Sequence, residues 1–400
     1  MAHSRRDFLK YSAMASASMF VPDFLKAFGN SPRTVGNGKI LVVIQLSGGN
    51  DGLNCIVPFR NDLYYKARPD LGIKQEDLIK LTDEVGLNSN LKALAQLFSD
   101  GQLAIINNVG YPNPNRSHFR STDIWQSASD EQTILNTGWI GRYLDSTCNG
   151  TCVKPHTAIE LDDTLSLALK GERMKGIAFR NPDILHISSK NNMIRGTAAG
   201  YQKETDHTAV EYLHKTLAET TQSADYIYEH SKIYRTTQIY PNHQFGKRMK
   251  TIAELICSGS ETLVYYVSLP GFDTHALQKG IHSSNLKKYS DTLSAFCADL
   301  KAANRFNDTV ILTFSEFGRR VAQNGSKGTD HGTANNVYIA GGKLATAGII
   351  NALPDLQNLD NGDLIHTVDF RRVYASLLDK VLNISPEKIL GQKFEPMNFI

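Results

Sequence analysis

Apolar residues in this chain gather into short unbroken runs, and four of these runs end in a polar motif. Ile40–Leu46 (ILVVIQL) leads into Ser47-Gly48-Gly49-Asn50-Asp51. Leu103–Val109 (LAIINNV) leads into Gly110–His118. Thr262–Leu269 (TLVYYVSL) leads into Pro270-Gly271-Phe272-Asp273-Thr274-His275. Thr309–Phe314 (TVILTF) leads into Ser315-Glu316-Phe317-Gly318-Arg319. Runs of this length bounded by Gly, Pro and Asn predict strands. Open α/β sheets bind ligands in the crevice beyond the carboxyl ends of their strands. As parallel neighbours, these four would gather Asp51, His118, Asp273, His275 and Glu316 on one rim.

Helical spacing appears between the runs. Asn90–Phe98 has it, and residues 117–145 read as largely helical, with Trp125 and Trp139 packed. Leu286, Tyr289, Leu293, Phe296 and Leu300 recur at threes and fours and predict an amphipathic helix over Asn285–Ala303. That helix joins two of the strands as a βαβ crossover. Residues 190–258 are polar, helical in pattern and without apolar strand runs. The expected architecture is α/β: a mostly parallel central sheet flanked by helices. Its parts are an N-terminal half of the core (39–189), a helical insertion (190–258) and a C-terminal half (259–400). Asp330-His331-Gly332-Thr333 precedes the run Val337–Ala340 instead of following it. It reaches the same rim if that strand is antiparallel, and an antiparallel strand is predicted there.

The first 29 residues stand apart. Ser4-Arg5-Arg6-Asp7-Phe8-Leu9-Lys10 before a short apolar stretch, Tyr11–Phe20, is the pattern of a twin-arginine export signal. The stretch is far short of the roughly 20 residues of a membrane span. Residues 30–38 read as a linker. The expected location is periplasmic or secreted, with the twin-arginine export machinery as a partner. The 400-residue chain is 41% hydrophobic and 21% charged, with net charge +3. That balance argues for neither a nucleic acid nor an anionic membrane partner. In an oxidising compartment, Cys148 and Cys152 across an Asn-Gly turn read as a small disulfide loop, with a zinc half-site as the rival. Cys55, Cys257 and Cys297 read as packing residues.

The motifs carry the candidate chemistry. Asp51 sits on a Gly-rich turn that lacks the P-loop lysine. It reads as a metal-binding carboxylate or as an ordinary turn former. Asp273 and His275, two apart in an extended segment, point the same way, and divalent ions accept such oxygen and nitrogen mixtures. The alternative is a hydrogen-bonded Asp–His pair. Glu316 directly after an apolar strand needs a metal or a cation partner such as Arg319 or Arg320.

In this arrangement the sequence resembles the alkaline phosphatase-like superfamily, which includes sulfatases and phosphoglycerate mutases. It most resembles an uncharacterised twin-arginine-exported branch, a family of unknown function. The resemblance rests on LSGGNDGLN (Leu46–Asn54), NRSHF (Asn115–Phe119), GFDTHA (Gly271–Ala276), SEFGR (Ser315–Arg319), TDHG (Thr329–Gly332) and the Asp369–Tyr374 helix start. It implies a divalent metal at the carboxyl edge of a mixed sheet. Asp51, Asp273, His275, Glu316, Asp330 and His331 would be ligands. Zinc or manganese is favoured, and calcium or magnesium would serve with fewer histidines engaged. Ser-Glu stands where Asp-His is usual, so one imidazole is missing there. Pro112 fills the slot of the sulfatase nucleophile. Ser117 becomes the candidate nucleophile, beside His118 and Arg116, with Asn50 and Arg319 as substrate-binding residues.

Three functions follow. The first is an exported metal-dependent hydrolase of phosphate or sulfate esters, acting on an anionic small molecule or a polysaccharide. The second is a catalytically inactive metal-binding envelope protein with a polysaccharide or protein partner. The third, a serine esterase, lacks a Gly-x-Ser-x-Gly elbow.

Overall fold

The computed structural model describes residues 38–147, 154–191 and 208–400. The twin-arginine segment, nearly all of the linker and the Cys148–Cys152 turn lie outside the described residues.

Strand β1 (Ile40–Ser47) lies near the middle of a nine-stranded sheet. In chain order there follow helix α1 (Asp62–Ala67), helix α2 (Lys92–Ser99), strand β2 (Leu103–Gly110), and helices α3 (His118–Ser127) and α4 (Trp139–Ser146). Next come β3 (Ala158–Glu160), β4 (Ile177–Ala178), α5 (Pro182–Ser189), α6 (Thr208–Ile233) and α7 (Gln244–Cys257). The C-terminal half adds β5 (Val264–Pro270), α8 (Gln278–Ala302), β6 (Thr309–Phe314), β7 (Asn335–Gly341), β8 (Gly348–Ile349), β9 (Val368–Asp369) and α9 (Phe370–Lys380). The spatial order is β8-β2-β7-β6-β1-β5-β3-β4, with β9 also pairing with β2. All neighbours are parallel except β7, which runs antiparallel to both β2 and β6.

Period-two alternation in β1 builds the layers. Ile40, Val42, Ile44 and Leu46 face a core shared with α2, α7 and α8. Leu41 and Val43 face the opposite core, shared with α3, α4 and α9. A strand covered on both faces favours apolar residues throughout, hence the nearly continuous apolar run; the one polar side chain within it, Gln45, is buried and accepts from the Tyr266 hydroxyl (2.6 Å). Burying one such side chain contributes about 1.5–3 kcal/mol. Trp125 and Trp139 are buried in the second core. Helix α7, within the polar 190–258 stretch, sends Phe245, Met249, Ile252 and Ile256 into the first. Cys55 and Cys297 are buried and Cys257 half-buried.

Helix α8 carries the predicted apolar stripe and starts earlier than the periodicity indicated. The backbone N–H groups of Leu277 and Gln278 donate to the Ser326 and Lys327 carbonyls, which supply the first turn with partners the sequence pattern cannot reveal. The antiparallel β7 brings residues 330–334 to the rim where β1, β5 and β6 end. Gly318 and Arg320 pair with Thr333 and Asp330 on the way, closing the return loop. Among the described residues no helix is long and apolar enough to cross a membrane.

Candidate metal centre

Two glycines let the rim close. Gly48 (φ +118°) and Gly49 (φ +76°) follow β1 in backbone regions open to glycine. A Cβ at Gly48 would overlap the Asp273 backbone, and one at Gly49 would overlap the Phe317 ring. The loops after β1, β5 and β6 therefore touch. Arg319, fully buried, ties them together. Its Nε donates to the Gly49 carbonyl (2.6 Å), Nη1 to Thr329 (2.8 Å), and Nη2 to the Gly48 and Phe272 carbonyls and to Asp273 Oδ1 (2.8 Å).

Three imidazoles converge on that same Asp273 oxygen. His275 Nε2 lies 3.0 Å from it, His331 Nε2 3.3 Å and His118 Nε2 3.4 Å. The Nε2 atoms of His275 and His331 are 2.9 Å apart. Each ring has its other nitrogen on an acceptor. His118 Nδ1 donates to Glu316 Oε1 (2.9 Å), His275 Nδ1 to Asp330 Oδ1 (3.2 Å) and His331 Nδ1 to the Arg116 carbonyl (2.8 Å). A neutral imidazole with its proton on Nδ1 keeps a lone pair on Nε2. Three lone pairs thus face the Asp273 oxygen, whose charge Arg319 meets from one side, and a proton or a metal ion would satisfy the imidazole nitrogens. Among the described residues, His118 Nε2 is buried with no hydrogen-bond partner. His118, Asp273 and His331 offer ligand atoms within 4.8 Å of one another and can hold a metal ion. Outer acceptors that fix the tautomer and aim the rings are the usual support of ligating histidines.

The local electrostatics favour a cation. Burial alone would raise the Asp273 carboxyl, but the hydrogen bond and charge of Arg319 help bring it down to about 2. The hydrogen bond to Glu316 raises His118, and burial lowers His331. Phe317 packs against both of these rings, 4.8 and 4.7 Å from their centroids, and the two rings lie 4.4 Å from each other. Asp273 is half exposed, so the cluster is open to solvent.

The other candidate residues sit apart from this point of convergence. Asp51 is 1% exposed and accepts from Arg68 Nη1 (2.6 Å) and from the Gln278 amide. Burial would raise its carboxyl, but the Arg68 charge lowers it. Glu316 is buried, bound to His118 and to the Gly48 N–H (2.8 Å). Asp330 supports His275 and accepts from Asn324 (3.0 Å). Asn50 faces inward, with its Oδ1 2.9 Å from His282 Nε2. Arg319 is placed as an organiser of the loops, with its donors spent on protein oxygens. Arg116 pairs with the buried Asp363. Ser117 is the exposed N-cap of α3, and its hydroxyl makes no capping bond. Sequence reasoning gathered His118 on this rim and, through the resemblance, gave it a catalytic place beside Ser117 and not a place among the metal ligands. Its position after the loop of β2, a strand parallel to β1 and separated from β6 only by β7, was the signal that it shares the rim.

The sequence profile of a family described as "Protein of unknown function (DUF1501)" matches residues 38–381. No curated protein matches the chain. Among solved structures, it is similar to the lipoteichoic acid synthase LtaP from Listeria monocytogenes, at 9% identity over 91% of this chain and 76% of that chain, with TM-score 0.40. It is also similar to the C-terminal periplasmic domain of EcEptC from Escherichia coli in complex with Zn (12%, 78% and 75%, TM-score 0.36). A third is the PsFucS1 sulfatase from Pseudoalteromonas sp. (10%, 90% and 70%, TM-score 0.39).

Proposed function

The chain belongs to that family of proteins of unknown function, and from this premise we propose that it is an exported, metal-dependent hydrolase of phosphate or sulfate esters. One observation carries the reading: three imidazole Nε2 atoms and Asp273 Oδ1 converge at an open rim, with every Nδ1 tied to an acceptor. His118, Asp273, His275 and His331 would hold a divalent ion, and this nitrogen-rich set suits zinc or manganese better than calcium or magnesium. Such an ion, when bound, supplies Lewis acidity toward an ester oxygen. Glu316, Asp330 and the Arg116 carbonyl keep the rings aimed. Ser117, at the start of α3 with its hydroxyl unspent on the helix, is the nucleophile this reading requires. Export rests on the Arg5-Arg6 pattern.

Elemental analysis of protein purified without chelator tests the centre. About one equivalent of divalent metal is expected per chain, lost in Asp273→Ala. Turnover of an aryl phosphate or aryl sulfate, abolished in Ser117→Ala, is the accompanying kinetic expectation. Turnover unchanged in that variant removes Ser117 as nucleophile.

A second reading, a metal-binding envelope protein without ester hydrolysis, is favoured by the arginines. Arg319 spends its donors on four carbonyls and Asp273, and Arg116 is paired with Asp363, so neither is free for a substrate anion. It expects metal without turnover, and a polysaccharide or protein partner.

A further inference from the structure

Gln278 occupies an unusual position at the first turn of α8. It is fully buried, and each end of its amide is bonded. Its Oε1 accepts from the hydroxyls of Thr274 (3.1 Å) and Thr329 (2.6 Å), and its Nε2 donates to Asp51 Oδ2. The two threonines are not arbitrary neighbours. Thr274 lies between Asp273 and His275, and Thr329 directly precedes Asp330-His331. The Thr329 N–H also donates to the Thr274 carbonyl (3.2 Å). One amide therefore staples the two loops that carry three of the four converging donors. The staple is anchored on Asp51, which Arg68 holds from the end of α1 while its Nε and Nη2 donate to the Val321 and Arg320 carbonyls.

We infer that Gln278, anchored by Asp51, is a positioning residue that fixes the spacing of the His275 and His331 loops and thereby the metal affinity of the centre. The inference rests on the reading that the cluster holds a metal. The polarity of the relay is determined by its ends: carboxylate Asp51 accepts, so the amide nitrogen faces it, and the carbonyl oxygen is left for two hydroxyl donors. An apolar side chain at 278 takes the amide donor from Asp51, which keeps Arg68, and leaves the Thr274 and Thr329 hydroxyls without their acceptor, so the loops are free to part.

Zinc affinity, measured by competition with a chromophoric chelator, tests this in the full chain. Gln278→Leu is expected to weaken zinc binding about 10–100-fold, the range for lost outer supports of metal ligands. Thr274→Ser with Thr329→Ser keeps both hydroxyl donors to the Gln278 amide oxygen and leaves the Asp51–Arg68 pair in place. It is expected to hold zinc affinity within about threefold of the wild type. Asp299→Asn serves as the control. Asp299 is a buried carboxylate 21 residues along α8, about 30 Å away at 1.5 Å per residue, bonded to Thr236 and Tyr240. It should lower stability to urea without moving zinc affinity. If Gln278→Leu does not fold, Thr274→Val with Thr329→Val carries the same expectation. Zinc binding by Gln278→Leu as tight as the wild type overturns the inference, and so does an equal loss in Asp299→Asn. A wild type that takes up no zinc overturns the metal reading itself, and this inference with it.

Discussion

Asp51 and Asp273 follow adjacent parallel strands, four residues after Ser47 and three after Pro270, which are partners in register. Each receives an arginine, yet they do opposite things. Asp51 is 1% exposed, and its carboxylate is engaged by Arg68 and Gln278. Asp273 is half exposed and shares one oxygen between Arg319 and three imidazoles. A carboxylate at a strand end is thus not a metal ligand by position. It becomes a candidate where lone pairs converge on it and solvent reaches it. Where a guanidinium arrives first, in the interior, it becomes an anchor.

Substitution of each aspartate sharpens the contrast most. Asp273→Ala is expected to abolish stoichiometric metal binding with little loss of fold, read by elemental analysis and circular dichroism. Asp51→Ala leaves the Arg68 charge buried and unpaired, a change that costs about 3–5 kcal/mol. Urea denaturation should show that loss, while metal still binds at saturating zinc. Equal stability losses in the two variants would erase the distinction.

Acid separates the two regions next. His282 sits beside Asp51 and Asn50, and burial lowers it to about 4. Its folded value lies below the ordinary imidazole value of about 6.5, so the unfolded chain takes the proton first. The stability it contributes is present above about pH 6.5 and is lost as pH falls toward 4, by an amount of order 3 kcal/mol. His282→Gln should flatten that slope in urea titrations at pH 7 and 5. The rim responds through ligand protonation instead. Glu316 raises His118, so proton competition for the metal begins above the ordinary imidazole range and deepens on acidification. Zinc affinity that is constant from pH 7.5 to 5.5 would contradict a histidine-held ion.

The smallest effect expected is that of Glu316→Gln. It leaves His118 an acceptor of weaker charge, and zinc affinity should fall about 10-fold, at the low end for such supports. Chelator competition measures it. A loss as complete as that of Asp273→Ala would make Glu316 a ligand and not a support.

Much of the frame was legible because burial on both faces of a strand leaves an unbroken apolar run, and burial of one helix face leaves a stripe. β1, β2, β5, β6, β7 and α8 all followed from those patterns. The rim motifs were legible too, because a strand end next to a carboxylate or imidazole marks where the chain turns back with polar groups in hand. The identity of each polar partner was not legible. Arg68 is one of 43 lysines and arginines, and nothing local says that it folds onto Asp51. Gln278 lies before the helix start that the periodicity predicts and belongs to none of the motifs. Arg319 reads as a partner for Glu316 or for a substrate anion, and its burial among four carbonyls depends on three loops meeting at once.

By itself, then, the sequence determined the layered α/β frame and the residues available at the carboxyl edge, because hydrophobic periodicity and turn chemistry act over a few neighbouring positions. Only the tertiary structure decided which of those residues face a common point. Pairings such as His118 with Glu316, Asp51 with Arg68 and Gln278 with Thr329 join atoms from separate strand ends. Such a pairing is set by where the loops come to rest against one another, a geometry that no short stretch of chain contains.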